Sequence, residues 1–455
     1  MKQLRFFTLA LVYLGGLLGS VNQGYSRPCD ELAYAQALSS FSVAVRNQHA
    51  LVAELEEKAL QFVDDWQDPT TGLWPDRAPN SRPSGAAHLE GVMSSIAGNG
   101  FIVAGLAGHA RRNPEKRVEV ERKIEKALAF IESSVEHHNG WLPHFVKMEG
   151  GSGHKRWDTR TEFSTIDTAF LVLGALVAKA EFPGSEIGRI ADRLYARLDF
   201  KDMLTDGGAL KDSMTLTHGW TPEHGYLKSR WDAYSELMPL LILGLGHPTS
   251  PLPDAVWSQW RRVGESMPNG HRIRKEDLGL FTHQFLYMFV RPSHLPEYSQ
   301  LGREMTLMDR ELARADANYR GQSGFGWGRS AGDTRDQGYF AYTIREPAPG
   351  MFNPAAVVAS AMFAPEVVLP DVQSWIAGNL ITLGAYGPPD GVRVDGWASP
   401  EVLAVNIGPQ LIALQNLSAF RGGATRDTSV WFLAEGSEEI ARGLARAERL
   451  EAGRK

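Results

Sequence analysis

The chain has 455 residues, of which 43% are hydrophobic and 22% are charged. These proportions are typical of a globular protein and exclude a disordered chain or a multi-span membrane protein. The formal net charge is −6, and the basic surface that nucleic-acid binding requires is not indicated, so we expect no nucleic-acid partner.

The N-terminus has the pattern of an export signal, which we place at residues 1–26. Lys2 and Arg5 are followed by an apolar run from Phe6 to Leu18, which has the length of a signal-peptide core and is short for a spanning helix. An uncleaved anchor is the alternative. We expect a periplasmic or secreted monomer in which residues 27–455 form one domain. Its single cysteine, Cys29, excludes an intramolecular disulfide.

Two types of helical segment alternate along the chain. Six segments are apolar nearly all round and rich in small residues, which predicts buried helices. They are Ser94–Ala110, Ile166–Ala180, Ala233–Leu245, Leu280–Val290, Asn353–Phe363 and Val402–Leu417. The others are amphipathic, with a charged face. They are about Tyr34–Trp66, Pro114–His137, Gly184–Leu198, Asp254–Met267, Tyr298–Asn318, Pro365–Leu380 and Val430–Leu450. Six inner segments and six or seven outer ones predict an all-α fold, an (α/α)6 barrel in which six inner helices are surrounded by six outer helices.

The loops that precede inner helices are long and carry tryptophan, histidine, glycine and charged residues. Examples are Trp141–Asp158, Thr215–Arg230, Gly321–Ala348 and Ala385–Trp397. Long loops in a compact domain are uncommon unless they are functional. The sequence has no intact dinucleotide, phosphate-loop, zinc-protease or nucleophile-elbow motif. We therefore expect neither a cofactor nor a metal.

Carboxylates near the starts of inner segments are the remaining candidates for chemistry. Glycoside hydrolysis needs two carboxyl groups, one protonated and one acting as base or nucleophile. Glu236 lies close to an apolar run, where burial would raise its pKa towards that of a usable acid. Asp167 opens another inner segment shortly after Glu162, and Asp390 lies in a Pro-Pro-Asp-Gly loop. A simpler interpretation is that Glu236 and Asp167 only favour a helix N-terminus and that Asp390 is a turn aspartate.

Other candidates also have a structural interpretation. Exposed tryptophans suit stacking on apolar sugar faces, but Trp141, Trp220 and Trp327 are equally typical of packing residues. His283 lies in an apolar segment, where a hydrogen-bonded core histidine is the alternative to a substrate contact.

Several stretches together resemble the glycoamylase-like domain family. These are Leu280–Phe285, Trp327–Asp333, Asn353–Ala356 with Phe363–Glu366, and Tyr386–Gly387. Three upstream stretches are similar to bacterial endo-β-1,2-glucanases that carry this domain: Asp68–Leu73, Gly140–Phe145 and Asp167–Leu171. Cyclic β-1,2-glucan synthases contain a related domain. The resemblance runs from about Val63 to Leu417.

The resemblance implies an (α/α)6 barrel and an endo-acting glycoside hydrolase that cleaves β-1,2-glucan with inversion. It also implies that Glu236 is the general acid and Asp390 the general base. The substrate contacts that we expect are Asp167, Glu162, Trp141, His144, Trp220, Arg230, His283, Trp327, Asp333, Tyr386 and Trp397.

The chain departs from the family pattern at two places. Glu162-Phe163-Ser164-Thr165 replaces an Asp-rich stretch, and Asn406-Ile407 replaces the Asp-Gln that relatives carry before Gly-Pro. These departures keep other functions open. The alternatives are an exo-acting or transglycosylating enzyme on β-1,2-linked or other β-glucans, and a non-catalytic periplasmic glucan-binding protein.

Overall fold

The computed structural model describes residues 43–84, 89, 91–148, 156–262, 265–266, 272–273, 279–343, 349–418 and 428–454. The predicted signal peptide and the start of the predicted helix Tyr34–Trp66 lie outside these residues, so the export signal stays a prediction. Among the helices that are described, none combines the length and the apolar character that a membrane crossing requires.

The described residues are rich in helix and form fifteen α-helices. These are α1 (His49–Asp65), α2 (Ile96–Arg112), α3 (Arg117–Ser134), α4 (Thr165–Glu181), α5 (Glu186–Ala196), α6 (Phe200–Thr205), α7 (Met238–Gly246), α8 (Ala255–Gln259), α9 (Phe281–Phe289), α10 (Pro296–Ala315), α11 (Pro354–Ala359), α12 (Pro365–Ala377), α13 (Ala404–Ser418), α14 (Val430–Gly436) and α15 (Glu438–Ala452). The expectation of an all-α protein is confirmed at this level.

The six predicted inner segments correspond to α2, α4, α7, α9, α11 and α13. These helices contact one another in chain order, and α13 contacts α2. Between α9 and α11, the contact includes the Gln284 amide, which donates to the Ala356 carbonyl and the Ser360 hydroxyl. The contacts thus run from α2 through α4 and α7 to α9, and from α11 through α13 back to α2, while α9 also contacts α13 directly.

Glycine allows the closest approach between two inner helices. A Cβ added to Gly174 of α4 would lie 2.1 Å from the carbonyl oxygen of Gly100 on α2. A Cβ added to Gly100 would in turn lie 2.5 Å from the Phe170 carbonyl oxygen. No larger side chain fits between these backbones, which explains why the inner segments are rich in small residues.

Amphipathic helices pack against the inner ones. Helices α3, α5, α10 and α12 contact α2, α4, α9 and α11, while α1 packs on α13 and α15 packs on α7. The predicted outer helix Asp254–Met267 is wrong over most of its length, because α8 ends at Gln259 and Glu265–Ser266 is extended. The backbone of Arg261 bonds that of Asp232 and Tyr234 instead of continuing the helix.

The last two helices cover the C-terminal ends of the inner ones. The backbone N–H of Trp431 donates to the Asn416 side chain near the end of α13, and its indole N–H donates to the Tyr287 carbonyl near the end of α9. The predicted helix Val430–Leu450 is divided at Ser437, whose hydroxyl accepts from the Ile440 N–H and caps α15. The N-terminal ends of the inner helices are thus the ends that face the long loops.

Short strands of two to four residues pair within the loops. They are β1 (Arg77–Pro79), β2 (Met93–Ser95), β3 (Phe145–Lys147), β4 (Phe163–Ser164), β5 (Gly219–Thr221), β6 (Gly225–Tyr226), β7 (Glu265–Ser266), β8 (Arg272–Ile273), β9 (Arg320–Gly321), β10 (Gly324–Phe325), β11 (Ala331–Thr334), β12 (Gly338–Ala341), β13 (Met351–Phe352), β14 (Val392–Arg393) and β15 (Glu401–Leu403). Strands β2, β4 and β15 lead directly into α2, α4 and α13. Residues on these strands and in the first helical turns therefore meet at one end of the inner helices.

Candidate active site

Glu236 lies in the turn immediately before α7 and is half-buried. Its Oε2 atom has no hydrogen-bond partner. Burial, and next the negative charge of Asp167, raise the pKa of Glu236 to about 8, although His144 acts in the opposite direction. This carboxyl group is therefore largely protonated at neutral pH and can donate a proton.

His144 connects two further carboxylates next to Glu236. Its Nδ1 lies 3.1 Å from Glu162 Oε1, and its Nε2 lies 3.5 Å from Asp167 Oδ1. Burial alone would lower the pKa of His144, but Asp167 and Glu162 outweigh it and raise the pKa to about 9. The ring is therefore a cation at neutral pH. We call Glu236, His144, Glu162 and Asp167 the Glu236 cluster.

The local sequence explains why Asp167 is held in place. Ser164 is the N-cap of α4, and its hydroxyl accepts from the Asp167 N–H and donates to the Asp167 carboxylate. Burial raises the pKa of Asp167, against the charge of His144. The pKa of Glu162 is lowered, because the hydrogen bond and the charge of His144 outweigh the effect of burial, which acts to raise it. Asp167 therefore lies in the first turn of a helix, as the simpler interpretation predicted, and also belongs to this cluster.

The same three residues could also hold a metal ion. One donor atom each from His144, Glu162 and Asp167 lies within 4.8 Å of the other two. Both ring nitrogens of His144 already face carboxylate oxygens, however. A protonated imidazole therefore satisfies this arrangement without an ion, and we assign no metal to it.

Asp390 is buried, with 1% of its surface exposed. Its Oδ1 accepts from the Asn406 amide at 2.6 Å, and its Oδ2 accepts from the Asp333 backbone N–H at 2.7 Å. Burial raises the pKa of Asp390 to about 7, while the hydrogen bond from Asn406 and the charge of Arg77 lower it. Asp390 is therefore not an exposed turn residue but a fixed carboxyl group that is about half ionised near pH 7.

Sequence reasoning missed Arg77, whose charge acts on Asp390, and Asp76, which pairs with Arg77. Arg77 donates to Glu401 at 2.9 Å and to Asp333 at 3.4 Å, and its charge also acts on Asp76 and Asp390. Asp76 is 4% exposed, and burial raises its pKa to about 6. The signal that could have revealed them is a charged pair inside the otherwise apolar stretch that follows Leu73.

Asp333, another predicted contact, has its carboxylate occupied within the protein. It accepts from the Ser399 hydroxyl at 2.9 Å and from Arg77, while its N–H holds Asp390. Asp333 therefore holds Asp390 in place and does not present its carboxylate on an open surface. We call Asp390, Asn406, Asp333, Arg77 and Asp76 the Asp390 cluster.

Three predicted aromatic contacts are corrected, because Trp141, Trp327 and Tyr386 are fully buried. The indole N–H of Trp141 donates to the Asp199 carbonyl, and that of Trp327 donates to the Asp371 carboxylate. The Tyr386 ring packs edge-on against two other aromatic rings. A side chain with no exposed face cannot stack on a sugar, so these residues stabilise the core.

One polar prediction is also corrected. His283 is 2% exposed and bonds Tyr234 through Nδ1, and burial lowers its pKa to about 3. It is a neutral core histidine. Arg230 donates to Asp206, to Ser213 and to the Thr215 carbonyl. These bonds fix its own loop, and its role as a substrate contact stays a prediction.

Trp220 and Trp397 remain predictions. Trp220 is half-buried on β5, and one face of its indole stacks on His138 with the ring centroids 3.7 Å apart. Trp397 is half-buried, and its backbone carbonyl accepts from the Arg393 N–H.

Comparisons with known proteins relate this arrangement to one family. Residues 228–421 match the Glycoamylase family, which is described as "Putative glucoamylase". The predicted resemblance to the glycoamylase-like domain is thereby confirmed. This stretch contains Glu236, Asp333, Asp390 and Asn406, whereas His144, Glu162 and Asp167 precede it. No curated protein matches the chain.

Three solved structures illustrate that known proteins share the fold of this chain. A Bacteroides caccae protein that carries the family's description has 23% identity and a TM-score of 0.72, with 88% of this chain and 99% of that chain covered. The endo-β-1,2-glucanase from Chitinophaga pinensis has 20% identity and a TM-score of 0.72, with coverage of 88% and 98%. The endo-β-1,2-glucanase from Talaromyces funiculosus has 12% identity and a TM-score of 0.61, with coverage of 89% and 92%. At these identities the likeness shows the fold alone.

Proposed function

We propose that this protein is a glycoside hydrolase that cleaves a β-glucan, and that β-1,2-glucan is its substrate. The observation that carries the proposal is a pair of carboxyl groups with raised pKa values, about 8 for Glu236 and about 7 for Asp390, at the N-terminal ends of the inner helices. Two endo-β-1,2-glucanases share the fold. Hydrolysis of a glycosidic bond requires one carboxyl group in each protonation state.

In the proposed reaction, Glu236 gives its proton to the leaving glycosidic oxygen as the bond to the anomeric carbon breaks. Its unpartnered Oε2 is suited to this role. Asp390 accepts a proton from the water that attacks the anomeric carbon, so that each carboxyl group changes its protonation state once. Asn406 and the Asp333 N–H fix the Asp390 carboxylate. Attack by water on the opposite face of the sugar gives inversion, and the cleavage is endo-acting.

The two departures from the family pattern are compatible with this proposal. Asn406 replaces a carboxylate but donates directly to Asp390, which favours the ionised form that a base needs. Ser164 replaces another acid but caps α4 and orients Asp167. Both substitutions therefore support a functional site and not a degraded one.

The proposal extends to the architecture. We infer that the cyclic contacts among α2, α4, α7, α9, α11 and α13 correspond to a closed (α/α)6 barrel. The packing of α1 on α13 and of α15 on α7 ties both ends of the described chain to the inner helices. This supports one domain for residues 27–455. Glu162, His144 and Asp167 would contact sugars on the Glu236 side of the cleft.

The test is the release of new reducing ends from linear β-1,2-glucan by the mature protein, with other β-glucans as comparison. We expect internal cleavage, products of several lengths, and an initial product of inverted anomeric configuration by NMR. Glu236→Gln should lower kcat by about 10²–10⁴-fold, the usual contribution of general-acid catalysis.

The other outcomes are distinct from one another. Release of a single short product would indicate an exo-acting enzyme, and longer products would indicate transglycosylation. Oligosaccharide binding without turnover would identify a glucan-binding protein. Folded protein that neither cleaves nor binds any β-glucan would disprove the proposal.

A further inference from the structure

Tyr339 lies on β12, in a hairpin whose other strand, β11, holds Asp390. In the register of this hairpin, Tyr339 is directly opposite Asp333. Side chains that oppose each other across an antiparallel pair project from the same face. The Asp333 side chain is directed towards Ser399 and Arg77. The Tyr339 ring therefore projects on the side of the Asp390 cluster.

The ring is exposed, and acids of both clusters act on its hydroxyl group through their charge. Half of the Tyr339 surface, 50%, is accessible, so the ring is free to contact a molecule that approaches this side of the hairpin. Burial of the hydroxyl group, and then the charges of Asp390, Asp76, Glu236 and Asp167, raise the pKa of Tyr339. An exposed ring on the strand that pairs with the one holding Asp390 is accessible to a substrate that reaches the Asp390 cluster.

The phenol is neutral throughout the working range of the enzyme, because its pKa is raised. It can donate a hydrogen bond and present an apolar ring face, which is the combination that favours tyrosine where one end of a site is apolar and the other is wet. Glu236 and Asp390 are both acceptor-rich groups, so a neutral donor beside them is well suited to sugar hydroxyl oxygens.

We propose that Tyr339 is a substrate-binding residue at the cleavage point, where its ring contacts the sugars that lie between Glu236 and Asp390. This inference rests on the proposed glucan hydrolase. It assigns to the β11–β12 hairpin a double role, because β11 holds the base and β12 holds the sugar.

Three variants separate this role from a purely structural one. Tyr339→Phe removes only the hydroxyl group, and Tyr339→Ala removes the ring as well. The matched control is Gln337→Ala, an exposed position two residues earlier in the same hairpin. Each is made in the active enzyme for kinetics and in the Glu236→Gln background for calorimetric binding of linear β-1,2-linked glucooligosaccharides. Melting temperatures are recorded for all of them.

We expect Tyr339→Ala to lower kcat/KM and oligosaccharide affinity by roughly 10- to 100-fold, which corresponds to the loss of one buried aromatic contact. Tyr339→Phe should show a smaller loss, and Gln337→Ala should stay within about twofold of the parent. The melting temperature should change little in all three, because an exposed ring contributes little to folding.

The inference is overturned if Tyr339→Ala keeps both affinity and kcat/KM within about twofold of the parent. It is also overturned if Tyr339→Ala only lowers the melting temperature while Tyr339→Phe behaves as wild type. Failure of the proposed function gives a different result, since the unmodified enzyme would then release no reducing ends. Loss of oligosaccharide binding in Tyr339→Ala would, even in that case, support the sugar contact.

Discussion

Burial is the first cause of the raised pKa in both Glu236 and Asp390, but the groups around the two carboxyls differ. Glu236, His144 and Glu162 are half-buried and Asp167 is buried, and the charges of Asp167 and His144 act on the pKa of Glu236 in opposite directions. Asp390 is buried and held by two short hydrogen bonds, with Arg77 and Asp333 acting through charge. Beyond burial, the charges of neighbouring side chains act on the pKa of Glu236, whereas fixed hydrogen-bond donors act on that of Asp390. Substitutions should therefore affect the two differently.

The largest expected effect is the loss of activity in Asp390→Asn, and it distinguishes the proposed base, Asp390, from the proposed acid, Glu236. Asp390→Asn should lower kcat by about 10²–10⁴-fold, because the base that accepts the proton of water is lost. Unlike Glu236→Gln, this variant should not recover on a β-glucoside with a dinitrophenyl leaving group, which departs without a proton. Rates of both variants on both substrates measure the difference. Equal recovery in the two would contradict the assignment of acid and base.

The next effect is a shift in the pH profile, which tests the hydrogen bond that the Asn406 amide donates to Asp390. Asn406→Asp would place a second carboxyl group where the Asn406 amide now lies 2.6 Å from Asp390. Two such groups share a proton, so the pKa of Asp390 rises and the base is lost over a wider pH range. We expect the acid limb of kcat/KM to move up by more than about 1 pH unit. Asn406→Ala, which removes a donor without adding charge, should give a smaller shift in the same direction.

The pH profile of the unmodified enzyme should be bell-shaped. Below about pH 7, Asp390 is protonated and cannot act as base, and above about pH 8, Glu236 has lost the proton that it must donate. Asp167→Asn should lower the pKa of Glu236 and move the alkaline limb down, whereas His144→Gln should raise that pKa and move it up. Each shift should be about 1 pH unit. Shifts in the same direction would contradict the charge balance.

The smallest effect concerns Arg77. Its charge lowers the pKa of Asp390, so Arg77→Gln should raise that pKa and move the acid limb upwards. A third of this side chain, 33%, is exposed, and solvent screening should keep the shift below about 1 pH unit. Arg335→Gln is the control, since it removes the same charge from an exposed pair with Asp395. A shift as large in the control would show that net charge, and not Arg77, is responsible.

The helices could be predicted because their signal is local. An apolar surface all round a segment indicates burial, and all six inner segments contain a buried helix. The prediction failed within Asp254–Met267, where the backbone of Arg261 bonds a segment that is distant in sequence instead of continuing the helix. Tryptophan was ambiguous for a different reason. Its residue type does not tell a buried ring such as Trp141 from one that lines a cleft.

The site could be predicted only in part, because most of its chemistry depends on partners that are distant in sequence. The family resemblance directed attention to Glu236 and Asp390. Arg77 and Asp76 join Asp390 only through the pairing of β1 with β15, which has no local signal. Tyr339 is one tyrosine in a long loop, and only the register of its hairpin places it opposite Asp333.

The pairing of β1 with β15 also has a consequence for how the protein folds. The hydrogen bond from Arg77 to Glu401 closes a loop of 324 residues, and contacts of such high sequence separation slow folding. A nascent chain that has not yet reached Glu401 lacks both the partner strand of Arg77 and the Asn406 donor of Asp390. Catalytic competence should therefore appear late in refolding, after the helical signal has recovered.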